Sequence, residues 1–342
     1  MPQKKTKTFT VQKAGYYLRE SKNLILGNLG LSKISTLILA LTDRCNLKCA
    51  MCDIWEKEGE KCQELDFNKI RQVFRLEALK HLKSIYLTGG EPFLRKDLYE
   101  IVLAIKDFYP HSSITISSNG TLTGRIMDFL GRTQQYANIG LEFSLLGIKT
   151  HDDISGIKGS FENLENTIQE ARGRFPSLNL KAKFVITPRN YLAIKEAADY
   201  CQQQNIGLTI KIVENVKSYT NSLKYRQNLE NRSFIFSVKQ LKSIIDALKK
   251  LRKNPLVKRV SMEYLIKCLE GKKISKRCFV PSLSLFINSE GDIYRCRMHD
   301  PIGSINKTPF NLITAGKQLA ENRLNDDNQM CGQCASLLRF LM

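Results

Sequence analysis

The chain has 342 residues, enough for one large hydrophobic core with a smaller attached module, and 42% of its residues are hydrophobic, as in soluble globular proteins. No apolar run approaches the roughly 18 to 20 residues of a membrane-spanning helix, and the basic N-terminus lacks the apolar stretch and cleavage site of a secretory signal. We therefore expect a cytoplasmic protein without a transmembrane segment. The net charge of +20 is concentrated in basic runs such as 248–259 and 272–277, which form a solvated helix face or attract an acidic protein, anionic lipid or nucleic acid.

Apolar runs of strand type alternate with amphipathic runs of helical type along the chain. Strands are predicted over 36–41, 84–87, 113–117, 139–145, 178–186 and 208–213. Helices are predicted over 67–77, 98–108, 126–130, 161–172, 192–204 and 238–252. This alternation predicts six βα units on a mostly parallel sheet.

Three cysteines follow the first predicted strand in one short loop. Cys45, Cys49 and Cys52 are separated by three and then two residues. Three thiolates at this spacing can hold three irons of a [4Fe–4S] cube and leave the fourth iron open for a chelating ligand. A zinc knuckle is the alternative, but such sites generally use two pairs of N or S ligands, and this loop contains neither a histidine nor a fourth cysteine.

A second motif ends the second predicted strand. Gly89 and Gly90 precede Glu91 and Pro92, and paired glycines are expected where the backbone must approach a ligand closely. A Gly-Gly turn after a strand is common by itself. Its combination with a cysteine triplet about 40 residues upstream is specific.

The cysteine triplet and the Gly-Gly-Glu-Pro segment together resemble the signatures of the radical S-adenosylmethionine (SAM) superfamily. The resemblance implies a partial (β/α)6 TIM-like barrel with its chemistry on loops at the C-terminal ends of the strands, where both motifs lie. It also implies that Cys45, Cys49 and Cys52 are the catalytic cluster ligands and that SAM chelates the open iron of a [4Fe–4S] cluster. Reductive cleavage of SAM would then yield a 5′-deoxyadenosyl radical that abstracts a substrate hydrogen atom.

The same resemblance implies a set of contacts with SAM. The expected cofactor-binding residues are Met51, Gly89, Gly90, Glu91, Pro92, Ser117, Asn119 and Ser144. Met51 can pack on the adenine ring or simply fill the loop. Ser144 shares a strand face with Glu142 by the period of two, and Glu142 and Lys183 are candidate polar groups of the barrel interior. Core-lining or surface placement fits both side chains equally well.

A second set of cysteines lies near the C-terminus. Cys278 and Cys296 are separated by seventeen residues with Gly291 between them, and Cys331 and Cys334 form a closer pair. Four thiolates in two separated pairs can bind a second cube or a structural zinc ion, and spacing alone does not choose between them. The Cys-x12-Gly-x4-Cys pattern resembles the opening of a SPASM domain, a cluster-carrying extension of radical SAM enzymes, in the shortened form called a twitch domain. That resemblance implies one auxiliary [4Fe–4S] cluster on these four cysteines.

These features divide the chain into four segments. We predict an N-terminal extension over 1–35, the radical SAM partial barrel over 36–214, a basic helical connecting segment over 215–275 and a SPASM/twitch-like domain over 276–342. The fold class is therefore α/β, a partial barrel with a small C-terminal cluster-binding domain.

The expected function is that of a radical SAM oxidoreductase or modifying enzyme that oxidises or cross-links a peptide or protein. An alternative is dehydrogenation of a small polar metabolite such as an aminocyclitol. A third interpretation is a non-catalytic nucleic-acid-binding protein with zinc or Fe–S modules, which the Gly-Gly-Glu-Pro motif and the six βα units disfavour. The expected partner is an electron donor of the flavodoxin or ferredoxin type, whose acidic surface would suit the basic chain.

Overall fold

The computed structural model describes residues 34–52, 54–57, 63–213, 235–254, 257, 259–272, 280–296 and 301–306. These residues form one nine-stranded sheet in the spatial order β6-β5-β4-β3-β2-β1-β7-β8-β9. The strands are β1 (Thr36–Ala40), β2 (Ser84–Thr88), β3 (Ser113–Ser118), β4 (Ile139–Leu145), β5 (Asn179–Ile186), β6 (Gly207–Ile212), β7 (Ser284–Ile287), β8 (Asp292–Tyr294) and β9 (Gly303–Ser304). Strands β1 to β7 are parallel, and β8 and β9 run antiparallel to their neighbours. The predicted mostly parallel sheet of six βα units is confirmed.

Helices connect the parallel strands. They are α1 (Phe67–Phe74), α2 (Leu98–Phe108), α3 (Thr123–Thr133), α4 (His151–Ser155), α5 (Ser160–Arg174), α6 (Ile194–Gln203), α7 (Val238–Lys250), α8 (Arg259–Leu269) and α9 (Val280–Leu283). Asp66 caps the N-terminus of α1 by accepting the Lys69 N–H with its carboxylate, and a capping box between Ser237 and Gln240 precedes α7. Helix α4 was not predicted because five residues are too few to show a helical period.

The two faces of the parallel strands differ in polarity. Residues such as Leu37, Leu39 and Leu87 are fully buried and share one core with Ile101 and Ile105 of α2. The alternate residues are half-buried and face away from the helices; we call them the inner face. The polar part of the inner face lies on β3 to β6 and includes Thr115, Ser117, Glu142, Ser144, Lys181, Lys183, Thr209 and Lys211. A core on one face and polar groups on the other is the arrangement that positions a site.

The C-terminal strands extend the same sheet. Strand β7 pairs in parallel with β1, with Thr36 opposite Ser284 and Ile38 opposite Phe286. Ile38 and Ala40 pack with Phe286 and Tyr294 in a small apolar cluster. The described part of the predicted 276–342 segment is therefore joined to the barrel by strand pairing. In the described part of the chain, no helix has the length and apolarity needed to cross a membrane.

Candidate cluster site and active site

The cysteine loop, residues 41–52, leaves the C-terminal end of β1 and carries three half-buried thiols. Burial raises the pKa of Cys49, and the nearby thiolates of Cys52 and Cys45 raise it further. Burial also raises the pKa of Cys45, although the Leu47 N–H and the Asn119 side chain partly oppose this by hydrogen bonding to its sulfur. Three mutually repelling thiolates with little water around them favour a cationic group between them.

The end of β2 holds the first part of this loop by backbone contacts. The Gly90 N–H donates to the Thr42 carbonyl at 2.7 Å, and the Glu91 N–H donates to the Arg44 carbonyl at 2.8 Å. A Cβ atom on Gly89 would lie 2.3 Å from the Thr42 carbonyl oxygen, and one on Gly90 would lie 2.1 Å from that of Arg44. The glycines therefore allow close approach of the cysteine loop itself. Their contact with SAM remains a prediction.

Glu91 is fully buried and links the ends of β2 and β3. Its carboxylate accepts the Phe93 N–H at 3.1 Å, the Ser118 hydroxyl at 2.9 Å and the Asn119 N–H at 2.7 Å. Burial raises the pKa of Glu91 to about 7, although these three hydrogen bonds favour the charged form. Pro92 follows as the first residue of a short 3-10 helix, Pro92–Leu94. Glu91 thus has a structural role in positioning the loops around the cysteines.

Asn119 at the end of β3 holds the middle of the cysteine loop. Its side-chain amide donates to Asn46 Oδ1 at 2.8 Å, and Asn46 Nδ2 donates to Thr121 Oγ1 at 2.8 Å. Asn119 also hydrogen-bonds to the Cys45 thiol. Asn119, which was predicted to contact SAM, therefore lies beside Cys45, the first cysteine of the triplet.

Helix α4 holds the second half of the loop. The Lys48 N–H donates to the Ser155 carbonyl at 2.9 Å, and the Ala50 N–H donates to the Ile154 carbonyl at 2.8 Å. Gly156 follows the helix in the left-handed conformation, with φ of 74°, and a Cβ there would lie 2.7 Å from the Lys48 carbonyl oxygen. No sequence pattern predicted this contact, because it joins residues that lie about 100 positions apart.

The inner face beside the loop contains a charged cluster. Lys183 Nζ donates to Ser117 Oγ at 2.6 Å and lies 3.3 Å from Glu142 Oε2. Burial alone would raise the pKa of Glu142, but Lys183 and Lys211 outweigh it and hold this pKa below its usual value. Ser144 is the register partner of Lys183 on the neighbouring strand. The structure therefore brings the predicted residues Ser117, Glu142, Ser144 and Lys183 together.

For the remaining predicted residues, the structure gives their burial or no description at all. Met51 is half-buried in the cysteine loop. Cys296 is half-buried two residues after β8. Cys278, Cys331 and Cys334 lie outside the described residues, so their predicted role as ligands stays a prediction.

The chemistry of the three cysteines fits a [4Fe–4S] cluster. The thiols of Cys45, Cys49 and Cys52 lie half-buried in one loop, and Cys45 and Cys52 are near enough to raise the pKa of Cys49. A cluster in which each thiolate binds a different iron suits this donor set. Cys45, Cys49 and Cys52 would hold this cluster.

Comparison with known families agrees with this site. The model of the radical SAM superfamily matches residues 39–201, and that of the SPASM iron–sulfur cluster-binding domain matches residues 278–335. A probable GTP 3′,8-cyclase of Methanococcus aeolicus is 25% identical over 256 residues, which are 72% of this chain and 81% of that protein. A Fe-coproporphyrin III synthase of Methanosarcina barkeri is 30% identical over 200 residues, or 56% of this chain and 47% of that protein. Six further GTP 3′,8-cyclases are matched over 28% to 59% of their own length, which is less than two thirds.

Solved structures share the fold at low sequence identity. SuiB of Streptococcus suis bound to its precursor peptide SuiA superimposes with a TM-score of 0.62 at 15% identity, covering 94% of this chain and 74% of that one. The structure of anSMEcpe with AdoMet and the Cp18Cys peptide gives a TM-score of 0.58 at 18% identity, covering 85% and 81%.

Proposed function

Because the chain is a radical SAM enzyme with a C-terminal SPASM domain, we propose that it oxidises or cross-links a peptide or protein that presents acidic side chains near the reacting carbon. When bound, the cluster and SAM would supply a radical that takes one hydrogen atom from an unactivated C–H bond, and the auxiliary cluster would accept the electron that the substrate radical then loses together with a proton. The chain's own residues hold the cysteine loop, line the substrate side of the sheet and set its charge.

The inner face carries the proposal. Glu142 lies opposite Lys181 in the register of β4 and β5, and Lys183 and Lys211 lower its pKa from half-buried positions of β5 and β6. An apolar substrate on this surface would remove water from charged groups at a cost of several kcal/mol. A substrate carboxylate would replace that water with charge-assisted hydrogen bonds.

Two observations bear on the choice of substrate class. The two solved structures described above contain bound peptides, in SuiB and in anSMEcpe, and this chain has their fold. The similarity to curated GTP 3′,8-cyclases supports a second candidate, a small anionic metabolite. The excess of lysines on the inner face disfavours the third substrate, a cationic aminocyclitol, because like charges would repel it. A non-catalytic nucleic-acid-binding role does not agree with the radical SAM domain.

The electron donor that we propose is an acidic protein of the flavodoxin or ferredoxin type. The chain carries 53 Lys and Arg against 33 Asp and Glu, so its surface field attracts such a donor. The rate of reduction by a flavodoxin should therefore fall steeply as ionic strength rises.

The experiment measures 5′-deoxyadenosine released from SAM by dithionite-reduced enzyme. Two synthetic peptide pools are compared that differ only in carrying Asp and Glu or Asn and Gln, with GTP as a third addition. We expect faster release with the acidic pool, together with peptide products that have lost two hydrogen atoms. Stimulation by GTP alone would favour the small anionic metabolite, and equal stimulation by both pools would refute the acidic requirement.

Matched lysine variants locate the effect. Lys183→Met should abolish the preference for the acidic pool because it removes an ammonium group from the inner face. Lys195→Met is the control, since Lys195 is 79% exposed on α6 and pairs only with Asp199 among the ion pairs of the described residues. Equal behaviour of the two variants would contradict the role of the inner face.

A further inference from the structure

Glu64 joins the residues that directly precede Cys45. Its Oε1 atom accepts the Thr42 hydroxyl at 2.5 Å and the Asp43 N–H at 3.2 Å, and its Oε2 atom lies 3.5 Å from the Arg44 guanidinium. The Thr42 hydroxyl in turn accepts the Arg44 N–H at 3.1 Å. The Glu64 side chain is only 19% exposed, so these charge-assisted hydrogen bonds are partly shielded from water. One carboxylate thus fixes the whole turn that leads to Cys45.

The next residue, Leu65, connects this turn to the C-terminal strands. The Leu65 N–H donates to the Ser289 carbonyl at 2.8 Å, in the turn between β7 and β8. Gly291 of that turn leaves no room for a side chain, since a Cβ would lie 2.9 Å from Leu65 Cδ2. Strand β8 leads from this turn to Cys296. The segment 63–66 therefore contacts both the cysteine loop, through Glu64, and the β7–β8 turn, through Leu65.

Arg95 secures the same junction. Its Nη1 atom donates to the Leu41 carbonyl at 2.7 Å and to the Leu65 carbonyl at 2.9 Å. Its side chain is 7% exposed and is paired with Asp97 at 2.6 Å. A single buried guanidinium therefore bonds the start of the cysteine loop and the 63–66 segment together.

We propose that Glu64 is a positioning residue for Cys45 and that residues 63–66 couple the cysteine loop to the turn leading to Cys296. Glu64 acts through Thr42, Asp43 and Arg44. This inference rests on the proposed function, in which Cys45 binds the SAM-binding cluster, so that displacement of this turn would change how SAM meets the cluster. The proposal concerns the chain's own contacts and holds for any substrate.

The first test compares Glu64→Ala, Glu64→Gln and Thr42→Val with Ser237→Ala in anaerobically reconstituted enzyme. Ser237 is a matched control, because its hydroxyl caps α7 outside the 63–66 segment and Ser237→Ala costs stability, roughly 1 kcal/mol, through the helix cap alone. We expect the dissociation constant of SAM to rise roughly tenfold in Glu64→Ala, less in Glu64→Gln, and not at all in Ser237→Ala. The SAM-induced change of the reduced-state EPR signal should shift only in the Glu64 and Thr42 variants.

A lowered melting temperature with unchanged SAM affinity and EPR signal in Glu64→Ala and Thr42→Val would overturn the positioning role.

The coupling is tested by Gly291→Ala, whose added methyl presses on Leu65. It should weaken SAM binding, and in the Glu64→Ala background this effect should shrink, because the contact that transmits it is gone. Additive effects, or no effect of Gly291→Ala on SAM affinity, would refute the coupling through 63–66.

Discussion

Replacing Gly90 with alanine should separate the cysteine loop from β2. The new methyl would lie 2.1 Å from the Arg44 carbonyl oxygen, where ordinary contact begins at 3.4 Å, so the loop must retreat by roughly 1.3 Å. With that movement the backbone hydrogen bonds from Gly90 to Thr42 and from Glu91 to Arg44 are lost, at about 1 kcal/mol each. A loop that stays in place keeps these bonds but overpacks the contact at a cost of about 1 to 3 kcal/mol, so either response lowers the free energy of unfolding by about 1 to 3 kcal/mol.

Urea unfolding and iron content after anaerobic reconstitution together measure this effect. If the loop retreats, Cys45 moves and iron is lost together with stability; if the loop stays in place, only the urea midpoint falls. Gly131→Ala is the control, because a Cβ at this position in α3 meets nothing within 4 Å, and it should stabilise the chain by about 0.5 to 1 kcal/mol. Wild-type values for both the urea midpoint and the iron content of Gly90→Ala would refute the reasoning.

Three further outcomes are expected. Burial raises the pKa of Glu91 from 4.5 to about 7, so the folded chain binds an extra proton in that window and loses about 3 kcal/mol of stability as the pH rises through it. Burial lowers the pKa of His151 from 6.5 to about 4, so its contribution is instead lost as the pH falls through that range. Each variant leaves only the other residue's pH dependence. As the pH increases from 4.5 to 6.5, the urea midpoint should therefore rise in Glu91→Gln and fall in His151→Gln. Lys183→Met should raise KM for an acidic peptide about tenfold with little change in kcat, measured by steady-state 5′-deoxyadenosine release. Cluster assembly should quench the fluorescence of Trp55, whose indole N–H donates to the Cys49 carbonyl at 3.4 Å, and Cys49→Ala should remove this quenching.

The alternation of buried and more exposed residues along the chain was enough to predict the six parallel strands β1 to β6. The strands were found because their outer residues, such as Leu37 and Leu39, alternate with more exposed ones, and each predicted bound lies within one residue of the observed bound. Strands β7 to β9 were not predicted, because four residues or fewer with little alternation give no clear signal. Their pairing with β1 depends on contacts between residues about 250 positions apart.

The candidate site was predictable only where its residues form a motif. Cys45, Cys49 and Cys52 stand out by spacing, and the inner-face position of Glu142 follows from the period of two. Glu64 and Arg95 belong to no motif, because each acts through backbone groups that only the folded chain brings near. The Gly-Gly pair was predicted to admit a ligand; the structure shows that it makes room for the cysteine loop, and its contact with SAM stays a prediction.

The most direct test of the account counts iron and sulfide per chain after anaerobic reconstitution, in wild type and in a variant with Cys45, Cys49 and Cys52 all changed to alanine. The reduced-state EPR spectrum is recorded with and without SAM. About eight irons falling to about four, with a SAM-sensitive signal only in wild type, is the predicted result for one SAM-binding and one auxiliary cluster. An unchanged iron count in the variant, or an EPR signal that SAM does not alter in wild type, would contradict the assignment of these cysteines.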